Sequence, residues 1–263
     1  MTSSTPSESG SAAANGDVSH YLKILDRLRN EPFNEATNLT LASHPYLVAA
    51  KEGKLTLQQR QAFVGEQYAI QYSDACSFAT LAGHDRFQPA TLSEAKVPDP
   101  VQQKDRTTVP DLFQFLLGGE IYASKLLLDH AKTVGMDTEA ALQNYPVTAQ
   151  AQGYPSYWAR LALSKNRGAG AAACATNFPA WGKMCKELSE ALKTRPEYGY
   201  ADDPQVQTSL AFIDFFATPI ENLDEMASAV MQQEQTSYED VVTAVRLLQE
   251  YEVMFWDAIY EAK

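Results

Sequence analysis

The sequence predicts an all-α protein, a bundle of seven or eight long helices joined by short links. Three observations carry that expectation. Apolar residues recur three and four positions apart along most of the chain, no stretch alternates long enough to make a strand, and capping sequences stand where the periodic runs begin. Such helices hide their apolar stripes only against one another, which makes a bundle. No internal repeat is visible.

The elements follow in order. Tyr21, Leu22, Leu25 and Leu28 share one face of a first helix, over residues 18–29. Pro32 interrupts, and a short segment follows through Ala36, Leu39 and Leu41. His44-Pro45-Tyr46-Leu47 marks a new start that ends at Gly53. Thr56-Leu57-Gln58-Gln59 forms a capping box, in which the threonine hydroxyl and the glutamine side chain each satisfy a backbone N–H of the first turn. The helix it opens runs to about Leu81, with Gly83 as its stop. Residues 85–108 make a polar, proline-bearing connection.

Pro110 suits a first helical position, and its helix reaches Gly135. Residues 138–144 are short. A helix is expected over 147–163, bent at Gly153 and Pro155. Gly168-Ala169-Gly170-Ala171-Ala172-Ala173 reads as a loop and then a helix start where backbones pack closely. It lacks the Gly-Lys-Ser/Thr ending of a phosphate loop. That helix continues through Trp181 to Leu192. Asp203-Pro204 opens another, kinked at Pro219. Ser237-Tyr238-Glu239-Asp240 caps the last, whose apolar face is Val241, Val242, Val245, Leu247, Leu248, Tyr251, Met254, Phe255 and Ala258. Its end, Tyr251 to Tyr260, concentrates four aromatics with Glu252 and Asp257.

A chain of 263 residues, 45% hydrophobic and 10% aromatic, is long enough to bury a sizeable core. A formal charge of -12 argues against nucleic-acid and anionic-membrane partners, both of which demand clustered Lys and Arg. No apolar run approaches the roughly 18 residues that span a bilayer. Cys76, Cys174 and Cys185 have no metal-ligand spacing and suit a reducing compartment, so a cytoplasmic location is expected. Residues 1–16, rich in Ser, Thr, Ala and Gly, are expected to be a disordered tail, with one helical domain over 17–263.

Several segments, in order from about Asn34 onward, resemble the TenA/THI-4 (thiaminase-II-like) family of the heme-oxygenase-like superfamily. They are His44-Pro45-Tyr46-Leu47-Val48 with Gly53-Lys54-Leu55, and Phe63-Val64-Gly65-Glu66-Gln67-Tyr68. Next come Ala171-Ala172-Ala173 through Gly182-Lys183-Met184 with Cys185-Lys186-Glu187-Leu188, then Asp214-Phe215-Phe216 and Phe255-Trp256-Asp257. The resemblance implies the heme-oxygenase-like helical fold. It also implies an activity: hydrolysis of an aminopyrimidine by a cysteine nucleophile with an assisting glutamate, while an aspartate and stacked tyrosines hold the ring.

Laid over this chain, the nucleophile's place falls on Asn177, whose amide is neither basic nor nucleophilic at neutral pH. Cys174, one turn earlier, reads as a buried structural thiol. The ring-holding aspartate's place falls on Gln67 and a tyrosine's on Ile70. Trp181 keeps the aromatic beyond the nucleophile, and Tyr154 matches a further tyrosine. The assisting glutamate's place falls at Ile220 or Glu221. The superfamily's di-iron chemistry needs glutamates and histidines from three helices. Glu120 fills one place, but Leu127, Pro219, Leu223 and Met226 stand where other ligands belong, and His130 is off the Glu120 face. No metal or other cofactor is therefore expected.

What remains is a pocket of acids and aromatics. Glu66, Asp74, Glu120, Asp214, Glu221 and Asp257 are acids in apolar helical surroundings, where burial raises a carboxyl pKa toward general acid–base use. Tyr68, Tyr72, Tyr154, Tyr157, Trp181 and Phe216 suit a flat-ring wall. The expectation is a TenA/THI-4-like enzyme acting on a small nitrogen-heterocyclic metabolite. Glu221 or Glu66 would activate water, and Gln67, Tyr154, Asn177, Trp181 and Glu120 would bind substrate. Asn177, Trp181, Gln67, Tyr154 and Glu221 are expected to line one internal pocket. The alternatives are a metal-free or iron-dependent oxidase, as in the superfamily's cofactor-free pyrroloquinoline-quinone synthesis oxidase, and a non-catalytic binder that kept the pocket. The expected partners are a small-molecule substrate and further copies of the chain.

Overall fold

The computed structural model describes residues 18–101 and 110–262. The expected tail at 1–16, residue 17 and part of the 85–108 connection lie outside them. Among the described residues there are helices and no strand. Eight helices have eleven residues or more: α1 (Val18–Arg29), α2 (Pro32–Ala42), α4 (Leu57–Leu81), α5 (Leu112–Lys132), α7 (Gly153–Leu163), α8 (Arg167–Thr194), α11 (Leu223–Gln233) and α12 (Tyr238–Glu261). Short helices α3 (Pro45–Lys51), α6 (Glu139–Gln143), α9 (Val206–Ser209) and α10 (Ala211–Ala217) link them. Among the described residues no helix is long and apolar enough to cross a membrane.

The caps act where the sequence places them. Both halves of the Thr56/Gln59 box form at α4 and both halves of the Ser237/Asp240 box at α12, while Gly83 takes φ +97° just past α4. Asp111, not Pro110, caps α5, its carboxylate accepting from Phe113 N and Gln114 N.

Three elements differ from expectation. Residues 147–152 are not helical, because Thr148 N donates to the Glu66 carboxylate at 2.7 Å, a turn follows over 149–152, and α7 begins only at Gly153. Pro155 then falls in the first turn, where its missing N–H has no bond to lose. The 168–173 run lies inside α8, which Asn166 caps at the Ala169 amide. Alanine is the best helix former, and the glycine beside it admits a neighbour: a Cβ on Gly168 would lie 2.0 Å from the Thr236 hydroxyl. Finally, the expected Pro219-kinked helix is three helices. Thr218, forced extended before the proline (ψ 121°), ends α10, and α11 starts beyond it.

Helix α8 is the hub, with α10, α11 and α12 packed around it, while α4 packs on α5 and α7. A single apolar core runs through all of these, anchored by fully buried Trp158, Trp256, Phe63, Phe78, Phe113 and Phe212. The small residues at the start of α8 let its neighbours come close.

Candidate functional site

Helices α4, α5, α7, α8, α10 and α12 enclose one pocket. Helix α4 contributes Gln67, Ile70, Gln71 and Asp74, which stand at i, i+3, i+4 and i+7 and so share one face. Glu120 comes from α5, Tyr154 from α7, Phe178 and Trp181 from α8, Phe216 from α10, and Glu252 with Phe255 from α12. The cavity is small, about 30 Å³, room for about two water molecules. Half-buried Phe178, Trp181 and Phe216 stand at its edge, and the carboxylates are deeper.

Aromatic packing fixes the wall. The Trp181 ring meets Phe216 at 5.7 Å, Phe255 at 5.9 Å and Trp256 at 5.6 Å between centroids. Phe216 is held by its own helix. Asp214 accepts from Ser189 Oγ at 2.5 Å and from Lys193 Nζ at 2.7 Å, pinning α10 to α8.

Three acids share this space, and no Lys or Arg lines it. Burial raises Glu120 to about 8, partly offset by a 3.3 Å hydrogen bond from Gln71 Nε2. Burial raises Glu252 to about 7, against the pull of two donors. Its Oε1 accepts from Trp256 Nε1 at 2.8 Å and its Oε2 from Asn177 Nδ2 at 3.3 Å. Asp74 is pushed well above the usual carboxylate range by burial and then by the nearby Glu120 and Glu252. Asp74 Oδ1 and Gln71 Oε1 are buried acceptors with no partner in the protein. Each such unmet atom costs about 1–3 kcal/mol until something donates to it.

Of the residues singled out from the sequence, Gln67, Ile70, Asp74, Glu120, Tyr154, Trp181 and Phe216 line the pocket. Asn177 is fully buried one layer behind it, accepting from Tyr154 OH at 3.1 Å and donating to Glu252. Glu66, though 1% exposed, is on another face of α4. Its carboxylate is committed to Thr148 N and to Gln152 Nε2, each at 2.7 Å. Glu221 is exposed on the turn before α11 and is not part of the wall. Asp257 reaches outward to His44 Nε2 at 3.1 Å.

Sequence reasoning passed over Gln71 and, above all, Glu252. Its signal was present: it stands four residues after Leu248 and three before Phe255, on the inward face of α12. Cys174 and Cys185 do not line the pocket, and burial raises both thiols. They are poor nucleophiles there. Among the described residues no three His, Cys, Asp or Glu side chains are arranged to hold a metal ion.

Fold and site together define a helical-bundle protein with a small, acid-lined, aromatic-walled pocket between facing helices. The chain belongs to the TENA/THI-4/PQQC family, whose model matches residues 34–262. It is similar to the crystal structure of a TenA homologue from Pseudomonas syringae pv. tomato str. DC3000, at 13% identity and TM-score 0.64 over 99% of each chain. It is also similar to a TenA homologue protein from P. horikoshii OT3, at 13% identity and TM-score 0.58, over 91% of this chain and 99% of that one. No curated protein matches.

Proposed function

We propose that this pocket binds a small, donor-bearing nitrogen heterocycle, with a thiamin-related aminopyrimidine as the reference ligand, and hydrolyses a C–N bond of it. The observation that carries the reading is the pair of unmet buried acceptors, Gln71 Oε1 and Asp74 Oδ1, beside Glu120 and Glu252 and under an aromatic wall. An amino group or protonated ring nitrogen satisfies those acceptors, and the rings cover its flat face. An anionic ligand would face three carboxyl groups. Family membership supports a thiamin-related substrate.

Glu252 takes the role of the proton-transferring carboxylate. With its pKa raised to about 7, it exists in both forms near neutral pH. The carboxylate accepts a proton from water as the water oxygen bonds to the substrate carbon. The carboxylic acid then returns it to the departing nitrogen as the C–N bond breaks. Gln67, Tyr154 and Trp181 orient the ring, and Asn177 steadies both Tyr154 and Glu252. Admitting a ring into so small a cavity requires Phe178 and Phe216 at its edge to swing aside.

The test is incubation of the protein with aminopyrimidines and thiamin breakdown products, following thermal stabilisation and product formation. Stabilisation with turnover is expected. An analogue whose amino group is replaced by methyl should bind about tenfold more weakly, the worth of one lost hydrogen bond. Binding without turnover would reduce the protein to a receptor. Tighter binding of a phosphorylated analogue than of the amine would end the reading.

A further inference from the structure

Behind the pocket a chain of three buried side-chain amides crosses the bundle. The Arg29 carbonyl at the end of α1 accepts from Asn34 Nδ2 at 2.9 Å. Asn34 Oδ1 accepts in turn from Gln249 Nε2. Gln249 Oε1 accepts from Asn177 Nδ2 at 3.2 Å, and the same Nδ2 donates to Glu252 Oε2. Asn177 Oδ1 takes the Tyr154 hydroxyl proton. Asn34 is 2% exposed, and Gln249 and Asn177 are fully buried.

The direction of this chain is not free. A backbone carbonyl only accepts, so Asn34 must turn its NH2 toward Arg29 and its oxygen toward Gln249. That orients Gln249, and Gln249 orients Asn177. Asn177 therefore meets Glu252 with N–H, which suits an ionised carboxylate and not the O–H of a carboxylic acid. It meets Tyr154 with C=O, so the phenol's proton is committed and its oxygen is left to accept. Inverting Asn177 would break the match at every link.

We propose that Asn34, Gln249 and Asn177 form a positioning relay, fixed at the Arg29 carbonyl, that holds Glu252 and Tyr154 in the hydrogen-bonding polarity the pocket uses. The relay deepens the reading of Glu252 as the proton-transferring group and rests on it for its catalytic meaning. Its physical content stands without any ligand. Removing either outer amide frees Asn177 to turn its oxygen toward Glu252, which then favours the protonated acid.

Glu252 has its own reporter, because the Trp256 indole N–H donates to its Oε1. The other titratable groups around it are Asp74 on α4, Glu120 on α5, Tyr154 on α7 and the thiols of Cys174 and Cys185 on α8. The acids are the groups that compete with it, and a Glu120→Gln background removes the one whose midpoint, about 8, adjoins that of Glu252.

The experiment follows the Trp256 indole 1H–15N resonance against pH in the full chain, assigned by its loss in Trp256→Phe. It is repeated in Gln249→Met and Asn34→Leu, with the amide spectrum as the check of folding. The expected result is a Glu252 midpoint higher by about one pH unit in both variants. An unchanged or lowered midpoint in a folded variant overturns the relay. Should both variants unfold, the wild-type side-chain amide protons of Asn34, Gln249 and Asn177 decide. Slow exchange with solvent supports the chain, and fast exchange overturns it. No heterocycle enters these measurements, so a failed ligand screen and a failed relay are separate results.

Discussion

Arg29 Nη2 donates to the Ala175 carbonyl oxygen at 2.8 Å, and that carbonyl is the one Pro179 leaves without a helical partner. In an α-helix the N–H four residues on would fill it, but a proline has none. The same guanidinium grips Asp224 with both terminal nitrogens, at 2.6 and 2.5 Å. One side chain of α1 thus mends α8 at its proline and ties in α11, two residues from Asn177.

Arg29→Met should destabilise the fold by about 1–3 kcal/mol, since it leaves a buried carbonyl unpaired as well as breaking a half-exposed ion pair. In a Pro179→Ala background the new N–H at 179 repairs that carbonyl, so the same change should cost about 1 kcal/mol less. A double-mutant cycle by urea denaturation checks the coupling. Simple additivity would refute the repair.

Glu252→Gln should leave the fold intact and slow turnover by about 10²–10⁴-fold, the usual worth of a positioned proton donor and acceptor. Glu66→Gln should instead show its effect in stability, because that carboxylate holds the turn before α7. Steady-state rates set beside thermal melts separate the two.

Stability should fall as pH rises from 6.5 to 8. Glu120 (about 8) and Glu252 (about 7) are raised above their unfolded values, and Asp74 is raised well above its own. Each binds its proton more tightly folded than unfolded. Their stabilising contribution is complete below the unfolded carboxylate range and is lost as pH climbs through the folded values. His44 and His130 are shifted down by burial and act in the opposite sense, adding stability as pH rises through the unfolded imidazole range near 6.5. Only the upper tail of that range falls in this window, and the loss from the three acids outweighs it. Glu120→Gln should flatten the dependence and raise stability at pH 8 by about 1–3 kcal/mol, the relief of a buried charge. Equal melting temperatures at pH 6.5 and 8 would contradict this.

Asn177→Ala should weaken ligand binding more than Cys174→Ala. The amide holds Tyr154 and Glu252, whereas the thiol is only packed. A loss of about tenfold is expected for the amide, near the worth of one buried hydrogen bond. Titration calorimetry with the best ligand from the screen compares them, and the reverse order would defeat the assignment.

Helix identity was legible because local chemistry decides it. The Thr56/Gln59 and Ser237/Asp240 boxes and the apolar face of α12 each act within a few residues. The 168–173 run was harder, since small residues suit both loops and helices until Thr236, far along the chain, shows what packs there. Part of the pocket was legible too: Gln67, Tyr154, Trp181 and Glu120 stand where the family resemblance directs attention. Glu252 was not, because Asp257 beside Trp256 offered an equally acidic choice. Only helix phase turns one into the pocket and leaves the other half-exposed against buried His44. The Glu66 and Gln67 pair is the same problem on α4, where adjacent residues differ by about 100° in direction.

Helix α12 is made after every other helix described, yet it supplies Glu252, Phe255 and the reporter Trp256. Asn34 and Gln249, which touch, are separated by 215 residues of chain. The helices before α12, with Trp181 and Phe216, are therefore made before the carboxylate at the centre exists. Under the proposed reading, the proton-transferring group arrives only with α12. A chain that stops short of that helix lacks both Glu252 and the Phe255 side of the pocket.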